Sequence, residues 1–293
     1  MKFRDLILLI VINALWGFNF IAGKAGTEIF GPIFFSALRF IVVLVLLLPF
    51  ARWHPGQMKL ILLIGVLMGL VHYPIMFTAI HLTENVSVIA IAAQLLVPFS
   101  TILAVIFLAE RVGLTRTVAI VLSFAGVVVI SYEPFGADHI LSLVLTTVAA
   151  LSIAAATILM RKLSVAGVFN LQFWIAAVST VSLLVLSVLI ESPSVALLKN
   201  TPLTDYWSPI YSGIGATIIG HGSFYYLLTK YEVSDVAPFI TLSSLFAIAF
   251  GILLLGDVIT TRVVIGGVLT LIGVTIVAQR SARSTEVKQP ERT

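Results

Sequence analysis

Residues 84–130 read ENVSVIAIAAQLLVPFSTILAVIFLAERVGLTRTVAIVLSFAGVVVI, and residues 231–277 read YEVSDVAPFITLSSLFAIAFGILLLGDVITTRVVIGGVLTLIGVTIV. Shifted by 147 positions without a gap, the second stretch lies on the first with ten of 47 residues identical. In so apolar a chain composition alone yields several matches, so the order of the anchors carries more weight than the count. Val86, Ser87 and Ala90 meet Val233, Ser234 and Ala237; Leu108 and Glu110 meet Leu255 and Asp257; Gly126 and Val127 meet Gly273 and Val274. A Val-Ser-x-x-Ala start, a carboxylate after an apolar span and a glycine in the next span thus recur in one order, which predicts an internal duplication.

The rest of the chain has the composition of a membrane protein. Of its 293 residues 60% are hydrophobic and 10% charged, with a mean hydropathy of +1.14, far outside the range of soluble domains. That length holds roughly ten spans of about 20 residues with short connections. Apolar runs between charged or turn-forming residues predict helices at 5–23, 33–51, 60–80, 86–108, 115–131, 140–159, 170–190, 207–229, 235–255 and 262–279. Helices are required because hydrocarbon offers no partner to a bare amide. Lys2 and Arg4 precede the first apolar run like the start of a signal peptide, but no small-residue cleavage site follows, so that run is read as a retained helix.

Placing the N-terminus in the cytoplasm puts thirteen Lys and Arg residues inside, from Lys2 and Arg4 to Lys230 and the tail, against Lys24, Lys199 and Arg262 outside. This positive-inside bias predicts that both termini are cytoplasmic. Five helices per half is an odd number, so the second copy crosses the membrane in the opposite sense to the first. The expected fold is an all-α integral membrane protein of ten transmembrane helices in two inverted five-helix repeats, residues 1–134 and 135–280, followed by a disordered cytoplasmic tail, 281–293. Inverted repeats are a signature of secondary transporters with a site near the midplane. A shift of 137 adds weaker support by laying Lys24 on Arg161, each just past the first helix of its half.

All thirteen Asp and Glu residues fall in loops, at helix ends or in the tail, so a relay of buried carboxylates is unsupported. Within the spans stand Arg39, His72 and His221, with Trp16, Asn19, Gln94 and Tyr225 as polar or aromatic company. An ionisable side chain stranded against lipid is costly, so each is a candidate for function. Arg39 either meets a substrate or takes part in gating, or else it is an interfacial anchor that snorkels outward or a structural pair. His72 and His221 fall within a couple of residues of equivalent positions in the third and eighth helices; they either bracket a small polar solute or hydrogen-bond backbone carbonyls and pack. Trp16 and Asn19 share a helix face with Gly23, offering an aromatic wall and an amide or a packing surface. Gln94 stands four residues before Pro98, which bends the helix and frees a carbonyl.

Several functions are excluded or unsupported. With no cysteine there is no disulfide and no thiolate chemistry. The sequence lacks catalytic motifs, a phosphate-cradling loop and spaced metal ligands, so no catalytic residue, metal or cofactor is assigned. The pI of about 9.4 comes from basic loops and a tail suited to topology control and to lipid headgroups, not to nucleic acid. The expected partners are a small-molecule substrate and membrane lipids; oligomeric state is left open.

Trp16-Gly17-Phe18-Asn19-Phe20 with Lys24 eight residues after the tryptophan, Leu38-Arg39-Phe40 opening the second helix, Ala109-Glu110-Arg111 closing the fourth and Val236-Ala237-Pro238 opening the ninth resemble the EamA-type branch of the drug/metabolite transporter superfamily, over about residues 5 to 280. The resemblance implies a ten-helix carrier of the bacterial inner membrane, usually an exporter of small metabolites. It is strongest to the exporters of cysteine and O-acetylserine, through the Trp-Gly-x-Asn start, Gln94 and the run Lys230-Tyr231-Glu232. Ser244 and Leu245 replace a proline common in the middle of the ninth helix, and Gly256-Asp257-Val258 replaces a common Asp-Glu-Arg; these departures bear on the cargo. The expected function is therefore export of a small polar or zwitterionic metabolite by alternating access, with Trp16, Asn19, Arg39, His72, Gln94, His221 and Tyr225 as substrate-binding residues. The rivals are a carrier of drugs or quaternary amines, in which rings hold the cation, and, from another class, a membrane-embedded lipid transferase.

Overall fold

Turn-forming residues cut the apolar runs into helices in a computed structural model of the chain, which describes residues 1–110, 112–134, 138–163, 167–231 and 236–286. Among the described residues there is no strand. The helices are α1 (Phe3–Phe30), α2 (Pro32–Phe50), α3 (Met58–Leu82), α4 (Val86–Leu108), α5 (Leu114–Ser131), α6 (His139–Met160), α7 (Val168–Ile190), α8 (207–228), α9 (Phe239–Leu255) and α10 (Thr261–Gln279). Eight of them are long and apolar enough to cross a membrane, and α9 is a shorter apolar helix. The glycine- and serine-bearing α8 is helical throughout but is not among the eight. The chain is thus a multi-pass membrane protein. Its last helix continues to Glu286, into the stretch expected to be disordered, and residues 287–293 lie outside the described residues, as do Arg111 and Glu232 of the motifs above.

Local chemistry accounts for the helix ends. Gly31, at φ +78°, stops α1, and Pro32 starts α2 at a position where its missing N–H costs nothing. The bare Cα of Gly31 also lets Glu191, at the end of α7, approach α2: a Cβ there would lie 3.0 Å from the Glu191 carboxylate. That carboxylate accepts from the amides of Ile33 and Phe34 at 2.7 Å each, two donors a helix start leaves unpaired. Asn85 caps α4 by accepting from Val88 N. The α-helical winding of α4 is interrupted at Gln94 and Leu95, ahead of Pro98, but the carbonyl of Gln94 is not left loose. Val97 N donates to it at 3.0 Å, closing a tighter turn at Gln94 and Leu95.

Three helices contain stretches wound more widely than an α-helix: α3, α8 and α9, the last at Gly251–Leu255. The π-helical stretches Val66–His72 in α3 and Ser212–His221 in α8 each end on a histidine, and the 147 shift lays the first inside the second. Such stretches displace side chains from the α-helical register and are frequent at functional sites.

Several of the main helix pairings recur when each helix is exchanged for the one five places away. α1 packs on α9 as α6 packs on α4, α1 on α8 as α6 on α3, and α2 on α8 as α7 on α3, while α2 meets α7 and α5 runs along α10. At the α5–α10 contact, a Cβ on Gly126 would strike the Gly266 carbonyl and one on Gly273 the Ala119 carbonyl, and these two contacts are the same contact under the shift. Small residues at such crossings let helices approach to backbone distance. Several pairings break the rule: α4 packs on α10 and α1 on α2 without matching contacts of α9 on α5 or of α6 on α7, and α1 packs on the end of α3, with Gly23 against Phe77 and the Lys24 ammonium donating to the carbonyls of His81 and Thr83, whereas α6 and α8 barely meet.

Candidate functional site

Arg39 stands on α2, one residue from the closely packed Phe40, and its side chain is 1% exposed. The snorkelling alternative is therefore wrong: the guanidinium turns inward, because α8 offers it a hydroxyl and α3 offers it rings. Nη2 donates to Oγ1 of Thr217, which in turn donates to the carbonyl of Ser212, five residues earlier, in a bond that the wide turn of α8 makes available. The guanidinium carbon lies 4.1 Å from the centre of the Tyr73 ring, 5.1 Å from that of Phe40 and 5.4 Å from that of Phe77. Ring faces attract a cation and partly offset its loss of water.

Nε and Nη1 of Arg39 are buried and have no acceptor among the described residues, and no described carboxylate pairs with it. Removing a guanidinium from water without an anion costs several kcal/mol, and ring contacts recover only about 2 kcal/mol. A buried cation with idle donors on two of its nitrogens can attract an anionic group such as a carboxylate.

The histidines flank this group. His72 Nδ1 donates to the Ala149 carbonyl at 2.9 Å, and its ring meets the edge of Tyr73 at 4.7 Å. His221 lies against Trp16 at 5.3 Å between ring centres. Both are within electrostatic range of Arg39. Trp16 Nε1 donates to the Ala216 carbonyl at 3.0 Å, which requires glycine at position 220, where a Cβ would lie 2.6 Å from that nitrogen. Asn19, one turn along from Trp16, has a buried Oδ1 with no hydrogen-bond partner.

Two of the expected residues stand apart. Gln94 ties α4 to α9: Nε2 donates to Oγ of Ser244 and, at 3.4 Å, to Oγ of Ser243, and Ser244 Oγ donates to the Ala90 carbonyl. Tyr225, on the last turns of α8, is 48% exposed. Thr217 was not anticipated from sequence; the glycine-rich run 213–222 that loosens α8 was its only signal. The two described grooves, one lined by Thr241, Leu245 and Leu271 and the other by Phe169, Ile218 and Ser223, are largely apolar and are not lined by Arg39. Among the described residues no three His, Asp or Glu side chains converge as metal ligands.

Comparison with known proteins follows the same outline. The sequence profile of the EamA-like transporter family matches residues 4–132 and again 140–279. A probable amino-acid metabolite efflux pump of Escherichia coli is 26% identical over 284 residues, covering 94% of this chain and 95% of its own. The protein of the same description from Salmonella typhimurium is 27% identical over the same shares, and an uncharacterized transporter of Archaeoglobus fulgidus is 25% identical over 94% of this chain and 98% of its own. A solved crystal structure at 15% identity superposes with a TM-score of 0.61 over 98% of this chain and 100% of that one, a likeness of fold alone.

Proposed function

This chain belongs to the EamA-like transporter family, and we propose that it exports small amino-acid metabolites, cysteine and O-acetylserine foremost, by alternating access between two inverted five-helix repeats. The observation that carries the reading is Arg39, a desolvated guanidinium with two donors unmatched and no carboxylate of its own. A cargo carboxylate completes it. The names of the relatives from Escherichia coli and Salmonella typhimurium point to the same class of cargo.

The exchange symmetry of the helix pairs supports ten spans in two inverted halves. An inverted repeat makes two mirror-like states nearly equal in energy, and a carrier occupies one at a time. The close contact of α1 with α3 beside the near absence of an α6–α8 contact is the asymmetry of one such state. With the termini in the cytoplasm of a bacterium, this state is sealed at the outer end and parted at the inner end. Asp257 adds to the outer seal by accepting from the amide and hydroxyl of Ser87 at 2.7 and 2.6 Å, and Asn85 Nδ2 donates to the Val258 carbonyl.

A carrier of drugs or quaternary amines is disfavoured by the same arginine. The cation on the Tyr73 ring is the protein's own, so a cationic cargo meets like charge where it would seek the rings. Reconstitution in proteoliposomes tests the reading: L-cysteine, O-acetyl-L-serine and an aromatic amino acid should exchange across the membrane, and tetraalkylammonium should not. Arg39→Lys should lose most of that exchange, since a compact ammonium does not reproduce the spread of donors around a planar guanidinium. Exchange of the amine alone, or of amino acids undiminished in Arg39→Lys, would refute it.

A further inference from the structure

Arg39 accounts for one end of an amino acid; the other end, an ammonium, needs an acceptor. All acidic residues of the chain lie in loops, at helix ends or in the tail, so none is available at mid-span beside Arg39. The face of α1 that carries Trp16, Asn19 and Gly23 bridges the two helices that hold the arginine. Trp16 rests on α8 through Ala216 and His221, and Gly23 rests on Phe77 of α3. Asn19 falls between them on that face. Its Oδ1 is an orphan acceptor, as Arg39 Nε and Nη1 are orphan donors. Buried polar atoms are almost always paired, and an unpaired one asks for an explanation. Other buried side-chain atoms, Asn13 Oδ1 and Ser212 Oγ among them, also lack a partner; the Arg39 donors and the Asn19 acceptor are complementary to the two ends of a zwitterion.

We propose that Asn19 determines specificity by accepting a hydrogen bond from the cargo's ammonium group through Oδ1, while Arg39 holds the carboxylate. The assignment rests on the transport reading above. It also explains why an amide and not an acid stands there: a carboxylate on this face would itself be drawn to Arg39 and satisfy the donors meant for the cargo. A site with one fixed positive charge and a neutral acceptor favours net-neutral and anionic molecules carrying a donor, and discriminates against diamino compounds, whose second cation has no counter-charge.

Binding of three probes to the purified full chain under reducing conditions separates the two roles: L-cysteine, N-acetyl-L-cysteine, which lacks the ammonium, and L-cysteine methyl ester, which lacks the carboxylate. The wild type should prefer L-cysteine over the N-acetyl form by roughly ten- to a hundred-fold, the range for a hydrogen bond to a charged group. In Asn19→Leu that preference should vanish while the penalty for the ester persists; in Arg39→Met the ester penalty should vanish instead. Asn19→Thr, which keeps an oxygen acceptor, should retain part of the preference and guards against a leucine variant that does not fold. Undiminished preference in both Asn19 variants, or equal loss of all three probes at unchanged melting temperature, would overturn the assignment while leaving the arginine reading standing. A wild type that binds none of the three overturns the amino-acid reading and this inference with it.

Discussion

The hydroxyl of Thr270 donates to the carbonyl of Ser123, 3.3 Å away and 147 residues earlier in the chain. The two residues are equivalents under the repeat, and a position that touches its own equivalent sits on the axis that relates the halves, as at the centre of an isologous dimer. The contact of α5 with α10 thus lies at the centre of the proposed inverted arrangement, and it depends on bare backbone.

Enlarging Gly126 should therefore be damaging. Its Cβ would lie 2.7 Å from Thr270 N as well as against the Gly266 carbonyl, and backbone atoms cannot swing aside. Gly126→Ala is expected to cost at least about 1–3 kcal/mol, the usual range for overpacking, seen as a lower melting temperature in detergent. Gly113→Ala, with nothing within 4 Å of the new methyl group, should melt like the wild type.

Arg39→Met should separate stability from function. Replacing a buried charge that lacks a partner by an apolar chain of similar length is commonly neutral or stabilising, so the variant should melt no lower than the wild type while losing exchange of amino acids. A marked drop in melting temperature would mean that Arg39 mainly supports the fold through Thr217 and the rings.

Loss of the Asp257 carboxylate removes the acceptor of two bonds at the start of α4. Asp257→Ala should cost about 1–3 kcal/mol, as for other charged acceptors of backbone donors. If the bond to Ser87 is also an outer seal, the variant should in addition shift the carrier toward its outward-open state, read as faster labelling of a cysteine placed on the outer end of α3.

The natural absence of cysteine allows the asymmetry of the halves to be read directly. Tyr225→Cys, beside the parted α6 and α8, should react quickly with a membrane-impermeant maleimide from the cytoplasmic side and more slowly with saturating cargo. Thr78→Cys, its equivalent 147 residues earlier on the closely packed end of α3, should react slowly from either side. Equal rates at the two positions would sink the proposed state.

The sequence exposed the outline because the constraints behind it are local. Hydrocarbon forces helices wherever an apolar run is long enough, so the ends of α4, α6 and α7 lie within a residue or two of where the charged and turn-forming residues predict them. The π-helical turns of α3 and α8 left almost no trace, since they change only which carbonyl each amide meets. Arg39 was visible as a charge inside a span, but its direction was not: whether a guanidinium snorkels or turns inward depends on what neighbouring helices offer, and Thr217 and Tyr73 lie 178 and 34 residues away.

By itself, then, the sequence determined that the chain is embedded in a membrane, that it is helical and that its second half repeats its first, all consequences of the apolar pattern along the chain. Only the tertiary structure decided which polar groups converge and which stay unpaired. It brought His72 and His221 near Arg39 and set Trp16 against His221, assigned Gln94 to a tie between α4 and α9, left Tyr225 exposed, and withheld hydrogen-bond partners from two nitrogens of Arg39 and from Asn19 Oδ1. An unmet hydrogen bond is a property of a whole neighbourhood, so it cannot be read from any one stretch of chain.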